Sequence, residues 1–296
     1  MLACSRVSCQ PFAPSRHPKP CAPAGLWLPH SCTAAAARLT LAPASRTTAA
    51  AANPKNTCPP ELAAEASRLV YDNACLRAEL ATLQQLFRDP ADPCFVHADI
   101  WAGNLLINGS SGTMHCIDFE FGQLGPQAYD VGPAMSTCMV NAVLVHALAG
   151  LEAAGSGCCS EAVAGISSEA LAAARQSQLA WLVPAAAALW AEHVATRRAA
   201  AGPRWSAERE AQLLGDAIGY AGVAILRSSI GQYTLWHGHG MPMGEVRVAA
   251  VRRAMYLGSA LLRRRRSLGS MAAAQRLLEA ALAWDGRSAA PAALEA

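Results

Sequence analysis

From residue 61 the chain changes from an irregular scatter of Ala, Ser, Thr and Pro to apolar positions that recur at helical spacing. Leu62, Ala66, Leu69, Val70, Leu76, Leu80, Leu83 and Leu86 fall on one stripe, which predicts a helix over 61–87. Asp89-Pro90 and Asp92-Pro93 end it, because a residue before proline is pushed out of helical backbone. A short run, Cys94-Phe95-Val96, leads into a polar cluster. Leu105-Leu106-Ile107 and the segment 113–117 then flank a glycine-containing loop at 108–112, the pattern of a β-hairpin. From Tyr129 onward the spacing is helical again, over about 133–151, 168–201, 206–230 and 244–266. A Gly/Ser/Cys-rich loop near 155–168 and a Gly/His-rich loop near 237–244 separate some of these helices, and the Ala-rich end, 269–296, reads as a further helix or a tail.

Composition turns this pattern into a fold class. With 53% hydrophobic residues but only 6% aromatic ones, much of the remainder being alanine, the chain of 296 residues reads as mostly α with a small β-hairpin. The longest apolar stretches, near 135–151 and 179–191, are interrupted by Asn141 and His146 and by Pro184. Both fall short of the roughly 20 clean residues that a spanning helix needs, so the expectation is no membrane partner. Charge is uneven. Residues 1–60 hold six of the 24 Lys and Arg but none of the 21 Asp and Glu, leaving 18 Arg against 21 acids beyond them, a balance of −3. That remainder gives no case for nucleic acid, whereas the basic, acid-free, Ser- and Pro-rich leader 1–60 has the composition of a disordered transit peptide. It predicts delivery to a chloroplast or another organelle; without such an address the chain would be cytoplasmic. Five of the eleven cysteines lie in the leader, and the other six form no C-x-x-C pair, so neither a zinc site nor a disulfide framework is expected.

Against this background the crowding of acids at 97–130 stands out. Asp99 and Asn104 lie just before the first strand of the hairpin, Asp118 ends the second, and Glu120 follows two residues later. A hairpin brings its ends together, so His97, Asp99, Asn104, Asp118 and Glu120 are expected to converge at its open end. Phosphoryl transfer needs such a set: one carboxylate to orient and deprotonate the attacking hydroxyl, with an amide and further carboxylates to hold Mg²⁺ on nucleotide phosphates. Oxygen donors with little sulfur or imidazole suit that hard cation. Unrelated surface charges on a hairpin are the plainer alternative, but H-x-D-x-x-x-x-N, a hairpin and I-D-x-E in series rarely occur together by chance.

At these residues the sequence resembles a known family. HADIWAGNLLI followed by IDFEFGQLGPQAYDVG is similar to the catalytic core of the aminoglycoside phosphotransferase and choline kinase superfamily, small-molecule kinases of protein-kinase-like fold. The resemblance implies that Asp99 is the catalytic base and that His97 braces the catalytic loop. It implies Asn104 and Asp118 as magnesium ligands, Glu120 as a further ligand or water-holder, and Asp130 as a buried anchor. ATP would be the co-substrate and a small hydroxyl compound the acceptor. The superfamily usually has glycine where this chain has Ala98. Within it the nearest likeness is to the methylthioribose kinase group, whose D-x-E-F, G-P and F-D-I-G elements resemble DFEFGQLGPQAYDVG. The segment 219–232 resembles that group's late helix, in which two adjacent arginines help bind the sugar; Arg227 matches the first, and Ser228 replaces the second. That group also tends to lack the asparagine found here at 104. Trp101 is a candidate for the substrate side or, equally, for a wedge beneath the loop.

A kinase of this fold implies a β-rich lobe ahead of the helical one, with a phosphate-covering loop and a strand lysine. Only Lys19 and Lys55 are lysines, both in the leader, and the residues from 60 to 96 read as one helix. The expected architecture is therefore the C-terminal helical lobe of a protein-kinase-like (α+β) fold over 61–268, without its N-terminal β lobe and followed by an Ala-rich end over 269–296. A homodimer or a second chain supplying that lobe stays open, as does a non-catalytic kinase-like binding or regulatory module, or a helical scaffold on which the acidic hairpin is incidental. The remaining features read more plainly. Arg263–Arg266 would be a solvated basic helix end, His237 and His239 loop residues, and Trp181, Trp190, Trp205 and Trp284 packing anchors.

Overall fold

The computed structural model describes residues 58–153, 168–230 and 244–295; the leader, with both lysines, and the loops at 155–168 and 237–244 lie wholly or largely outside them. The helix expected over 61–87 is two pieces. An irregular helix over 60–71 passes from 3₁₀ through α to π geometry. The chain then restarts at Asn73, whose side chain accepts a hydrogen bond from the Leu76 N–H at 3.0 Å and caps α1, Ala74–Arg88. The apolar stripe is continuous across the break, which is why spacing alone does not reveal it: Leu62, Ala66, Leu69, Val70, Leu76, Leu80 and Leu83 are all buried.

Two antiparallel ribbons follow. β1 (Pro93–Val96) pairs with β4 (Gln123–Pro126), and between them β2 (Leu105–Ile107) pairs with β3 (Met114–Cys116) in the register Leu105↔Cys116. The hairpin is as expected, but β4 is not legible in its sequence, Gln-Leu-Gly-Pro, which has no apolar alternation. Five longer helices complete the body: α2 (Val131–Ala153), α3 (Ser168–Ala201), α4 (Ala207–Ile230), α5 (Glu245–Arg264) and α6 (Met271–Ala283), with a last turn, α7 (Ala292–Glu295). They share one hydrophobic core, which also takes in Leu277, Leu278, Trp284 and Leu294 near the chain end. The fold is thus mostly helical with small antiparallel sheets, in keeping with the lobe expected.

Close packing of α4 on α5 depends on a pair of glycines. A Cβ on Gly222 would lie 2.8 Å from the Gly258 carbonyl oxygen, and one on Gly258 would lie 3.0 Å from that of Gly222. By length and composition α2, α3 and α4 are long and apolar enough to cross a membrane, which the uninterrupted runs in the sequence do not suggest. In this fold 72% of the apolar window of α4 is buried against other elements, but only 28% of that of α3. That open face carries Trp181, which is 59% exposed and so does not anchor packing, whereas Trp190 and Trp284 are buried.

Nor is the arginine run at the end of α5 a solvated face. Arg263 donates to the Leu294 and Glu295 carbonyls and Arg264 to that of Ala293, which ties down the chain end. Arg265 is buried; its Nε meets Glu79 of α1 at 2.5 Å and its Nη1 meets Asp216 of α4 at 2.6 Å. One guanidinium therefore joins three helices. Arg252 of α5 grips Glu65 through two nitrogens at 2.7 and 2.8 Å, and the Tyr256 hydroxyl donates to the same carboxylate.

Two outcomes are expected. Arg265→Met leaves Asp216 without this cation and Glu79 with the exposed Arg266 at 3.5 Å, and should lower stability by about 3 kcal/mol in urea denaturation. For Glu65, burial works to raise the carboxyl, but hydrogen bonds from Arg252 and Tyr256 and the charges of Arg252 and Arg68 outweigh it and hold it below the usual glutamate value. Its contribution is therefore present above about pH 4.5 and lost as pH falls through the lowered value. Glu65→Gln should cost about 2 kcal/mol at pH 7, and its deficit against wild type should shrink in thermal melts taken at decreasing acid pH.

Candidate active site

The turn after β1 is built around Asp130, which enters from the residue before α2. Its Oδ2 accepts the His97 backbone N–H at 2.7 Å and its Oδ1 accepts that of Ala98 at 3.0 Å. Burial pushes the Asp130 carboxyl above its ordinary value, while these two N–H groups and the nearby His97 pull it back down. Gly132 lets the carboxylate's own helix approach closely: a Cβ there would come within 2.6 Å of Tyr220 Cβ and 2.7 Å of the Ala217 carbonyl on α4.

His97 is buried and joins the turn to the hairpin. Its Nε2 faces the Ile117 carbonyl at 2.7 Å and so carries the ring proton, leaving Nδ1 to accept the Asp99 N–H at 3.3 Å. The Phe119 ring lies against the imidazole, with centroids 4.6 Å apart. Ile117 in turn donates its N–H to the Asn104 carbonyl at 3.0 Å, extending the β2–β3 ladder by one bond. Asp118 is consequently held one residue beyond the rung that contains Asn104. Neither the Ile117 carbonyl nor the Phe119 ring is singled out by the motif, since one is backbone and the other apolar.

Asn104, 5% exposed, turns its Nδ2 to Asp99, donating to the carbonyl at 2.9 Å and to Oδ2 at 3.3 Å. The amide oxygen and the second Asp99 carboxylate oxygen lie outside that bond. The structure thus brings His97, Asp99, Asn104 and Asp130 into one hydrogen-bonded set and delivers Asp118 beside it through the backbone. Glu120 sits on the following 3₁₀ turn, Phe119–Phe121, exposed and hydrogen-bonded to none of them. Trp101 is 49% exposed between Asp99 and Asn104. Arg227 lies elsewhere, in the last turn of α4, lining a cleft with Phe87, Tyr129 and Tyr220 that includes none of the other candidates.

Both non-glycine residues with positive φ among the described residues belong to this site: Ala98 and Asp118, each at 65°. The conformation costs an L-residue roughly 1–2 kcal/mol, less for aspartate than for alanine. A glycine at position 98, as in the superfamily pattern, would adopt it freely. Ala98 precedes Asp99 and Asp118 is itself one of the acids, so both left-handed positions adjoin the candidate oxygen donors.

Among the described residues no three His, Cys, Asp or Glu side chains cluster as a metal cage. The donors present nevertheless suit magnesium, which is held by one or two protein oxygens together with phosphates and water. Asn104 Oδ1 and the Asp118 carboxylate have that chemistry, as does the exposed Glu120 carboxylate two residues on.

Asp130→Asn places an amide NH₂ against one of two backbone N–H groups. It should cost about 2 kcal/mol of stability by urea denaturation and loosen the 97–99 turn, seen as faster amide exchange of Ala98 and Asp99.

Comparison with known proteins finds matches that include this segment. The phosphotransferase enzyme family matches over residues 28–166, a span that holds the whole constellation. The chain is similar to the methylthioribose kinase of Cronobacter sakazakii, with 29% identity over 218 residues, 70% of this chain and 48% of that protein. It is likewise similar to the methylthioribose kinases of Yersinia pseudotuberculosis serotype O:1b, with 29% identity over 209 residues, 70% of this chain and 47% of that protein, and Citrobacter koseri, with 28% identity over 214 residues, 70% of this chain and 48% of that protein. The chain spans about half the length of the curated relatives it matches. The likeness to small-molecule phosphotransferases thus holds over the segment that carries the motif.

Proposed function

We propose that this chain carries the catalytic half of an ATP-dependent phosphotransferase that acts on a hydroxyl of a small, sugar-like substrate, with methylthioribose as the first candidate. The observation that carries the reading is the Asn104–Asp99 pair, with Asp118 held beside it by the Ile117–Asn104 rung. Asp99 is the residue to orient the acceptor hydroxyl and take its proton, and the Asn104 amide fixes the carboxylate so that one oxygen faces that task. His97 acts through Asp99 by holding its backbone N–H. Asn104 and Asp118 would hold Mg²⁺, which when bound offsets charge on the nucleotide phosphates. Trp101 faces the acceptor side in this reading, and Arg227, although it lines a cleft that none of these acids lines, is the residue proposed to meet the sugar.

The surface around the site supports a nucleotide-binding role. Of the ten large hydrophobic side chains that are exposed among the described residues, eight lie between Phe95 and Leu124. Phe95 and Leu124 are cross-strand neighbours on the first ribbon, and Ile107 and Met114 on the second. An apolar face of this kind beside oxygen ligands suits a flat purine base and a β-rich lobe that closes over it, whether from the same polypeptide or another. The described residues contain no lysine to reach the phosphates, so the affinity of this half for nucleotide is expected to be weak.

The test is transfer of labelled γ-phosphate from Mg·ATP to a panel of sugar-like alcohols that includes methylthioribose, together with calorimetric titration of Mg·ATP. Binding in the millimolar range that needs Mg²⁺ and is lost in Asp118→Ala is expected. Any transfer should fall by about 10²–10⁴ in Asp99→Asn at unchanged melting temperature. Nucleotide binding that ignores both Mg²⁺ and Asp118 would overturn the assignment and leave a kinase-like module without phosphoryl chemistry.

A further inference from the structure

A second cleft opens where α1, α4 and the end of α5 meet, and none of its lining comes from the 97–130 segment. Thr82 and Leu86 of α1, Ala211, Gln212 and Asp216 of α4, and Arg265 just past α5 border a volume of about 390 Å³. That is ample for a small molecule. Two of these side chains form an ion pair sunk into the wall: Arg265 is 3% exposed and Asp216 14%, with Nη1 and Oδ1 2.6 Å apart.

The pair leaves two polar atoms unused. Arg265 commits Nε to Glu79 and Nη1 to Asp216, and neither its Nη2 nor Asp216 Oδ2 makes a hydrogen bond among the described residues. Neither atom is sealed from solvent, and the free space beside both residues is this cleft. Burial holds the Asp216 carboxyl above its ordinary value in spite of the charge and hydrogen bond of Arg265, so a further donor on Oδ2 would be favourable. Charge cancels at the junction. Arg266, exposed just outside, lies 3.5 Å from the same Glu79 oxygen that Arg265 holds, so two guanidiniums stand against two carboxylates. Such a wall does not favour net charge of either sign. It matches a neutral group that both donates and accepts.

We propose that this cleft binds a neutral vicinal diol, the grouping found in sugars and polyols: one hydroxyl accepts from Arg265 Nη2 while its neighbour donates to Asp216 Oδ2. The carbon frame rests on Leu86 and Ala211, and further hydroxyls reach Gln212 and Thr82. The Thr82 hydroxyl donates to the Ala78 carbonyl at 3.0 Å, so its oxygen is left to accept. A lone alcohol satisfies one member of the pair only, an anion is opposed by Asp216, and an ammonium is opposed by Arg265. The site goes beyond the phosphotransferase reading, needs neither Mg²⁺ nor nucleotide, and shares none of the residues assigned to that reaction.

The test uses the full chain, free of Mg²⁺ and nucleotide, titrated with cis-cyclohexane-1,2-diol, trans-cyclohexane-1,4-diol, sodium cyclohexanecarboxylate and cyclohexylammonium chloride by calorimetry and by chemical-shift mapping. Saturable binding of one equivalent of the 1,2-diol is expected, with shifts at Gln212 and at the buried Arg265 guanidinium. The 1,4-diol, whose hydroxyls are too far apart to meet both atoms together, should bind about tenfold more weakly, and the two charged probes more weakly than the 1,2-diol. Arg266→Gln should leave the 1,2-diol affinity unchanged, since that guanidinium lies outside the pair. Ala211→Trp, at an exposed position of α4, should abolish binding; Ala211→Phe, a smaller filling change, serves the same purpose if the tryptophan variant does not melt cooperatively. None of these outcomes depends on Mg²⁺ or Asp118, so the phosphotransferase reading stands or falls separately. Equal binding of the two diols, no saturation by the 1,2-diol, tighter binding of either charged probe, loss of the 1,2-diol in Arg266→Gln, its retention in the filled variant, or shifts centred on Asp99 and Trp101 in place of Gln212 would each overturn the proposal.

Discussion

A carboxylate that accepts two successive backbone N–H groups makes two charge-assisted bonds to one turn, and Asp130 does this for His97 and Ala98. The consequence runs outward from it. With both amides held, Ala98 is kept in left-handed backbone, His97 is turned toward the Ile117 carbonyl, and the Asp99 N–H meets the imidazole. Farther along, the Asn104 N–H bonds the Trp101 carbonyl and its side chain bonds Asp99, contacts that add to the anchor without involving it. Burial raises the cost of keeping Asp130 ionised, and the two N–H bonds are what offset it.

The anchor is only as fixed as the helix that bears it. The first turn of α2 is pressed onto α4 at Gly132, α4 onto α5 at Gly222 and Gly258, and α1, α4 and α5 are joined by Arg265. The apolar core supplies the stability, but hydrophobic contact alone permits helices to slide. Glycine contacts and a bridged guanidinium define one register. The helical body thereby works as a mount: its apolar interior holds Asp130 still, and the ribbons carry the oxygen donors to a surface rimmed by exposed apolar residues.

Legibility in the sequence varied with the range of the interaction involved. Helix spans were readable to within a few residues because apolar spacing is a local property: 206–230 was expected and 207–230 observed, 168–201 expected and observed. The break at Asp72-Asn73 was missed because the buried stripe continues across it, and β4 because Gln123–Pro126 owes its strand geometry to pairing with β1 rather than to its own residues. The run Arg263–Arg266 looks like a solvated helix end by sequence, yet Arg265 is buried because its two acids arrive from residues 79 and 216. The exposure of Trp181 beside the burial of Trp190 has the same cause, since which face of α3 is covered depends on α2 and α6.

The sequence by itself determined the helical class, the hairpin and the identity of the acids, because these follow from residue type and from spacing over a few positions. The order H-x-D-x-x-x-x-N, then I-D-x-E, also carried the likeness to phosphotransferases, and with it the chemistry that the oxygen donors are suited to. Only the tertiary structure decided that Asp130 holds the turn from 32 and 33 residues away, that Ala98 and Asp118 are left-handed, and that Arg227 lines an apolar cleft outside the polar set. Those facts depend on which distant groups meet once the apolar faces are buried. A chain read residue by residue has no term for that meeting until the core closes.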